Sequence, residues 1–77
     1  MNDKHVGTVL RYYRVERKMT LTAAAKLIGV TRQQLKKYET GECRVSIPTV
    51  NRLLEAWGVW WIIFMHQVEE EAKKVSQ

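Results

Sequence analysis

Hydroxyl residues that can cap helix starts alternate along the chain with glycines that can end helices. A Ser or Thr side chain accepts a hydrogen bond from a free amide at a helix start, and glycine readily adopts the left-handed conformation that closes a helix. The hydroxyls are Thr20, Thr31 and Ser46, and the glycines are Gly29, Gly41 and Gly58. The segments between them are short, so the sequence predicts a bundle of short helices.

Apolar residues recur at helical spacing within these segments. Val6, Val9, Leu10 and Tyr13 fall at i, i+3, i+4 and i+7, which places them on one face of a helix. Pro48 suits the first turn of the helix that Ser46 caps, where its missing amide hydrogen has no cost. The predicted helices span about residues 6–18, 21–28 and 32–40, and a fourth follows the Ser46 cap and is ended by Gly58.

The third of these helices buries little of itself. Thr31 and Gln34 have the spacing of a capping box, so the helix starts at once after the turn. Its apolar residues are only Leu35 and Tyr38, which form one narrow stripe. The exposed positions are therefore predicted to bind something else, and they are Arg32, Gln33, Lys36 and Lys37.

The segment 59–65 is rich in aromatic and β-branched residues and is apolar on both alternating faces. This pattern favours a strand buried on two sides, although periodicity also allows the segment to continue as a helix into the polar tail 66–75. The predicted fold is all-α, with four core helices, a short C-terminal β-strand and a polar tail helix. The predicted domains are 1–58 and, as the dimerisation strand and tail of the same unit, 59–77.

Charge is unevenly distributed. Residues 1–52 hold eleven Lys or Arg and four Asp or Glu, a balance of +7, and residues 53–77 hold two and four, a balance of −2; together they give the net charge of +5. Such a field attracts polyanions, so double-stranded DNA is the expected partner and an anionic membrane surface is the competitor. A helix-breaking Gly58 before the apolar run argues against the membrane-surface alternative.

Several classes of protein are not expected. The single Cys43 allows no internal disulfide and is interpreted as a spectator thiol, and the absence of a signal-like apolar N-terminus predicts a cytoplasmic protein. His5 and His66 lack partners at ligand spacing, so no metal site and no cofactor are expected. No nucleophile, carboxylate pair or phosphate-binding glycine loop is visible, and an enzyme is not expected.

Residues 29–41, GVTRQQLKKYETG, resemble the recognition half of the phage repressor and Cro-like helix-turn-helix family, also called the XRE family. The resemblance runs from about residue 6 to 59 and includes Arg14 in the first helix and Glu39 at the end of the third. It implies that Arg14 and Glu39 form a structural ion pair. It also implies a four-helix repressor-like domain whose third helix enters the major groove.

The resemblance assigns DNA contacts to matching positions. It implies base contacts from Arg32, Gln33, Gln34 and Lys37, and phosphate contacts from Thr20, Thr22, Thr31, Lys36 and Arg44. The chain departs from the family pattern at two positions. Leu21 stands where a phosphate-binding glutamine is common, and Glu42 stands where a basic residue would help.

The C-terminal pattern Leu53-Leu54-Glu55-Ala56-Trp57-Gly58 is similar to a subset of this family that includes antitoxin-type regulators. In that subset the following strand pairs with its symmetry mate, which implies a homodimer interface at Trp60, Trp61, Ile62, Ile63 and Phe64. The expected function is that of a dimeric repressor of a palindromic operator. The alternative is an antitoxin-like protein that mainly binds a protein partner and binds DNA for autoregulation.

Overall fold

Hydroxyl caps begin three helices of the computed structural model, which describes residues 3–75. Thr20, Thr31 and Ser46 accept hydrogen bonds from the amides of Ala23, Gln34 and Thr49, at 3.0, 3.1 and 3.4 Å. The helices are α1 (Asp3–Glu16), α2 (Leu21–Leu27), α3 (Arg32–Thr40), α4 (Ile47–Trp57) and α5 (Trp61–Val75). Residues 1, 2, 76 and 77, which the predicted domains include, lie outside the described residues.

One core joins the helices. Its largest fully buried side chains are Leu10, Leu35, Leu53, Leu54 and Phe64, from α1, α3, α4 and α5, and Ala24 of α2 is fully buried as well. Helix α1 lies close against the end of α3, where a Cβ atom on Gly7 would clash with the carbonyl oxygens of Tyr38 and Glu39. The recognition-type helix α3 is therefore held by backbone contact as well as by side chains.

The predicted C-terminal strand is wrong. Residues 61–75 form the helix α5, and no strand occurs in residues 3–75. Phe64 and Val68 lie one turn apart and are 0% and 2% exposed, so a helix buries both against the core. A helix also satisfies its own backbone groups, whereas a lone strand in this chain would leave them without partners. The alternative that the apolar run continues as a helix into the tail describes most of this segment.

The first helix differs from its predicted bounds at both ends, because it begins at Asp3 and ends at Glu16. Lys18 closes it with a φ of +56°, in the left-handed region that glycine usually occupies. The amide of Met19 donates to the carbonyl of Arg14 at 3.1 Å in this closing turn. A left-handed lysine carries none of the sequence signal that a glycine gives.

Candidate nucleic-acid interface

A tight turn connects α2 to α3. Gly29 has a φ of +67°, and the amide of Val30 donates to the carbonyl of Ala25 at 3.1 Å, which closes the end of α2. Val30 is half-buried against the core, and Thr31 then caps α3. The turn thus sets the direction in which α3 begins, and the first residues of α3 are exposed.

The first turns of α3 separate a buried side from an exposed side. Leu35 is 1% exposed and anchors the helix, while Arg32, Gln33 and Lys37 are exposed and Gln34 is half-buried. Arginine forks and glutamine amides are the groups that hydrogen-bond to guanine and adenine edges in the major groove. These four positions are the predicted base contacts, and all have side chains at least partly open to solvent.

The predicted phosphate contacts Thr20, Thr22, Thr31, Lys36 and Arg44 are all exposed. The hydroxyl oxygens of Thr20 and Thr31 accept hydrogen bonds as helix caps, and each hydroxyl keeps its own hydrogen as a donor. Arg44 lies in the loop after α3, where its Nε is 3.5 Å from Oδ1 of Asp3. Sequence reasoning did not foresee this ion pair, which joins residues far apart in the chain.

Positive charge dominates the α2–α3 surface. Between Glu16 and Glu42 the only acidic residue is Glu39. Its carboxylate is buried and engaged by Arg14, so it adds little negative field at the surface. Exposed basic residues over the same stretch are Arg17, Lys18, Lys26, Arg32, Lys36 and Lys37. This arrangement attracts the phosphate backbone of a nucleic acid.

Arg14 and Glu39 form a bidentate ion pair beneath this surface. Arg14 Nε donates to Glu39 Oε2 at 2.7 Å, and Arg14 Nη2 donates to Glu39 Oε1 at 3.1 Å. Arg14 Nη1 also donates to the carbonyl of Met19 at 2.9 Å. The two side chains are 11% and 5% exposed, so the pair lies largely out of water. It fixes α1 and the start of α2 relative to the end of α3.

A second group of contacts holds the end of α4. Arg17 Nη2 donates to the carbonyl of Trp57 at 3.0 Å, and its guanidinium lies 5.9 Å from the centre of the Trp57 ring. The indole Nε1 of Trp57 donates to Sδ of Met19 at 3.2 Å. This role of Arg17 was not predicted, because helical spacing only places Arg17 outside the apolar face of α1.

The five residues of the predicted dimer interface do not form one surface. Phe64 is fully buried within the chain, and Trp61 is half-buried, with its indole Nε1 donating to Asn51 Oδ1 at 2.7 Å. Trp60, Ile62 and Ile63 are 77%, 76% and 52% exposed. The N-terminal part of α5 therefore presents large apolar side chains to solvent.

No group of three or more His, Cys, Asp or Glu side chains in residues 3–75 is arranged to hold a metal ion. Over that range no helix has both the length and the apolar content that crossing a membrane requires.

Comparison with known proteins supports this architecture. The family described as "Helix-turn-helix domain" matches residues 5–59. An uncharacterized HTH-type transcriptional regulator, y4aM, from Sinorhizobium fredii is 31% identical over 75 residues, which are 97% of this chain and 52% of the relative. A second such regulator from the same organism, y4wC, is 39% identical over 54 residues, which are 70% of this chain and 38% of the relative. The chain thus spans about half or less of each relative's length.

A solved structure shares the whole fold. The crystal structure of the clp gene regulator ClgR from Corynebacterium glutamicum superposes with a TM-score of 0.89 at 22% identity, covering 100% of this chain and 83% of that chain. A second crystal structure of ClgR gives a TM-score of 0.83 at 21% identity and covers 91% of each chain. At these identities the likeness concerns the fold, including the fifth helix.

Proposed function

The chain belongs to the helix-turn-helix domain family, and from this membership and the exposed start of α3 we propose that it is a sequence-specific DNA-binding transcriptional regulator. The observation that carries the proposal is the division of α3, in which Leu35 is buried while Arg32, Gln33 and Lys37 are exposed. The names of the two Sinorhizobium fredii relatives, both HTH-type transcriptional regulators, agree with it.

In the proposed complex, α3 lies in the major groove with its first turn against the base edges. Arg32 donates two hydrogen bonds to a guanine, and the Gln33 amide pairs with an adenine. Gln34 and Lys37 reach bases further along the groove. The ion pair between Arg14 and Glu39 keeps α3 at a fixed angle to the rest of the domain, so these contacts need little reorganisation on binding.

Phosphate contacts set the position of the domain on the duplex. Thr20, Thr22 and Thr31 lie at the starts of α2 and α3, where helix dipoles favour an anion, and Lys36 and Arg44 add charge. Arg44 must exchange its contact with Asp3 for a phosphate, which costs little because its side chain is 83% exposed.

The proposed regulator acts as a homodimer and a repressor. Two copies related by a two-fold axis place their α3 helices in successive major grooves about 34 Å apart and read a palindromic operator. The exposed apolar side of α5 supports a second copy, because solvated clusters of large apolar side chains usually mark interaction surfaces. A bound dimer blocks access of RNA polymerase to overlapping promoter DNA.

Selection of bound duplexes from a random DNA pool tests this function. The expected result is an enriched sequence with two related half-sites spaced by about one helical turn. The control is the Arg32→Ala, Gln33→Ala double variant, which keeps the fold because both side chains are exposed. Enrichment of the same sequence by both proteins, or by neither, would overturn the proposal.

A further inference from the structure

A groove of about 480 Å³ lies between α1 and the C-terminal half of α5. Tyr12 and Val15 line it from α1 and remain 55% and 50% exposed. Glu70, Glu71 and Lys74 line it from α5. Arg11 and Glu16 line it from α1 as well, so the groove combines exposed apolar side chains with charged groups on both walls, and no part of the proposed DNA contact uses it.

The polar groups around the groove are largely matched among themselves. Lys74 Nζ lies 3.8 Å from Glu71 Oε2, and Lys73 Nζ lies 3.5 Å from Glu70 Oε1. A hydrogen bond to Glu16, followed by the charge of that carboxylate, raises the pKa of Tyr12, so its hydroxyl stays protonated. An occupant of the groove thus meets the apolar side chains of Tyr12 and Val15 among mostly paired charges, with Arg11 as an additional cation.

A stripe of α5 leads directly to this groove. Ile63, Gln67, Glu70 and Lys74 follow one another at intervals of four, three and four residues, and Trp60, which directly precedes α5, stands three residues before Ile63. This spacing keeps side chains on one side of a helix and is the spacing of a helix–helix seam. Gln67, Glu70 and Lys74 line the groove. Ile63, 52% exposed, continues the same stripe toward the N-terminus, and Trp60, 77% exposed, lies just before the helix.

We propose that the groove between α1 and α5 receives Ile63 and Trp60 of a second copy of this chain, with the two α5 helices antiparallel across a two-fold axis. The proposal rests on the homodimer proposed above and specifies its contact. Each copy supplies two exposed apolar side chains and one groove, so the contact is self-complementary and closes at two chains.

The charges of the stripe select the antiparallel direction. A parallel pair would place Glu70 opposite Glu70 and Lys74 opposite Lys74, which is unfavourable. An antiparallel pair instead brings the apolar end of each stripe to the charged end of the other, beside Tyr12 and Val15. The uncharged Gln67 then lies near the two-fold axis, where its amide can pair with carboxylate or amide groups of the partner.

The apolar surface available suits a stable contact. A standard interface buries about 800 Å² on each partner, and one aromatic side chain contributes roughly 150–250 Å². Trp60, Ile63, Tyr12 and Val15 are four large side chains that one two-fold contact covers on both copies. Their burial also removes solvated apolar surface that would otherwise favour aggregation.

Two matched variants test which side of α5 forms the contact. The variants are Ile63→Asn and Ile62→Asn. Ile63 lies on the stripe, whereas its neighbour Ile62, which is 76% exposed, lies about a quarter-turn or more away from it. Measured by light scattering, Ile63→Asn should raise the dimer dissociation constant by about 100-fold or more, because each dimer buries the Ile63 side chains of both copies. Ile62→Asn should change it by less than about 3-fold. Helix content by circular dichroism checks that both variants fold.

Disulfide trapping tests the groove itself. In a Cys43→Ser background, Val15→Cys combined with Ile63→Cys should give a covalent dimer under mild oxidation, and Val15→Cys combined with Ile62→Cys should not. A dimer that persists in Ile63→Asn and forms no Val15–Ile63 crosslink would overturn the groove contact but leave the homodimer intact. A monomer at all concentrations would overturn both proposals, and DNA selection would still test the recognition helix separately.

Discussion

The guanidinium of Arg14 donates two hydrogen bonds to the carboxylate of Glu39, from Nε to Oε2 at 2.7 Å and from Nη2 to Oε1 at 3.1 Å. Both side chains are nearly excluded from water. Because a buried charge without its partner is much more costly than an absent pair, the two residues depend on each other for stability.

Removal of one partner should therefore destabilise the protein more than removal of both. Arg14→Met or Glu39→Leu alone is expected to lower the free energy of unfolding by about 3–5 kcal/mol. The double variant should lose much less than the sum of the two, although it also loses the hydrogen bond from Arg14 to the Met19 carbonyl. Urea denaturation measures each loss.

The exposed pair of Arg44 and Asp3 is the matched control for this comparison of single and double variants. Arg44→Met should cost about 1 kcal/mol or less, because both side chains remain accessible to water. Additive losses for Arg14→Met and Glu39→Leu would show that the two residues do not stabilise each other in solution.

Gly7→Ala should loosen the contact between α1 and α3. The added methyl group would meet the backbone oxygens of Tyr38 and Glu39, which cannot move without shifting α3. The expected loss is about 1–3 kcal/mol of unfolding free energy, typical of an overfilled core. The neighbouring Thr8→Ala removes only an exposed hydrogen bond to Lys4 and should cost about 0.5 kcal/mol or less. Equal effects of the two changes in thermal denaturation would contradict the close helix contact.

Gln33→Ala should reduce specificity rather than general affinity for DNA. The loss on the selected operator is expected to be about 1–3 kcal/mol, with little change on random duplex, because the amide is proposed to contact a base edge. Lys36→Ala should weaken binding to both duplexes and lower the slope of log K against log salt by about 1. Equal losses for Gln33→Ala on the two duplexes, measured by fluorescence anisotropy at several salt concentrations, would remove Gln33 from the base contacts.

Phe64→Ala and Ile62→Ala should differ strongly in stability. Residues two apart face opposite sides of a helix but the same side of a strand. Phe64 is fully buried, so its truncation should cost about 3–5 kcal/mol, whereas Ile62 is 76% exposed and its truncation should cost about 0.5 kcal/mol or less. Similar losses in urea denaturation would mean that α5 does not pack in the orientation described. The comparison is made at low protein concentration, so that self-association does not contribute.

The bounds of α3 follow directly from local signals in the sequence. Thr31 caps the first turn and Gly41 closes the last, so the predicted range 32–40 is the observed one. Both signals lie within a few residues of the helix end they determine. The exposure of Arg32 and Gln33 could also be predicted from the sequence, because Leu35 and Tyr38 define the buried stripe.

Correct prediction of the C-terminal helix required information that the local sequence does not carry. Residues 59–65 have the composition of a strand, but the ring of Phe64 lies 6.4 Å from that of Tyr13, about fifty positions earlier in the chain. This long-range burial overrides local β propensity. The groove beside Tyr12 and Val15 was likewise beyond prediction, because it exists only where α1 and α5 lie side by side.

The match to the helix-turn-helix family ends at residue 59, yet the ring of Phe64 fills the middle of the core beside Tyr13. A protein shortened to the matched segment would expose to water the side of Tyr13 and of the core that the Phe64 ring covers. The unit that folds therefore extends past the segment that matches the family, and transfer of α3 to another protein requires the fifth helix as well.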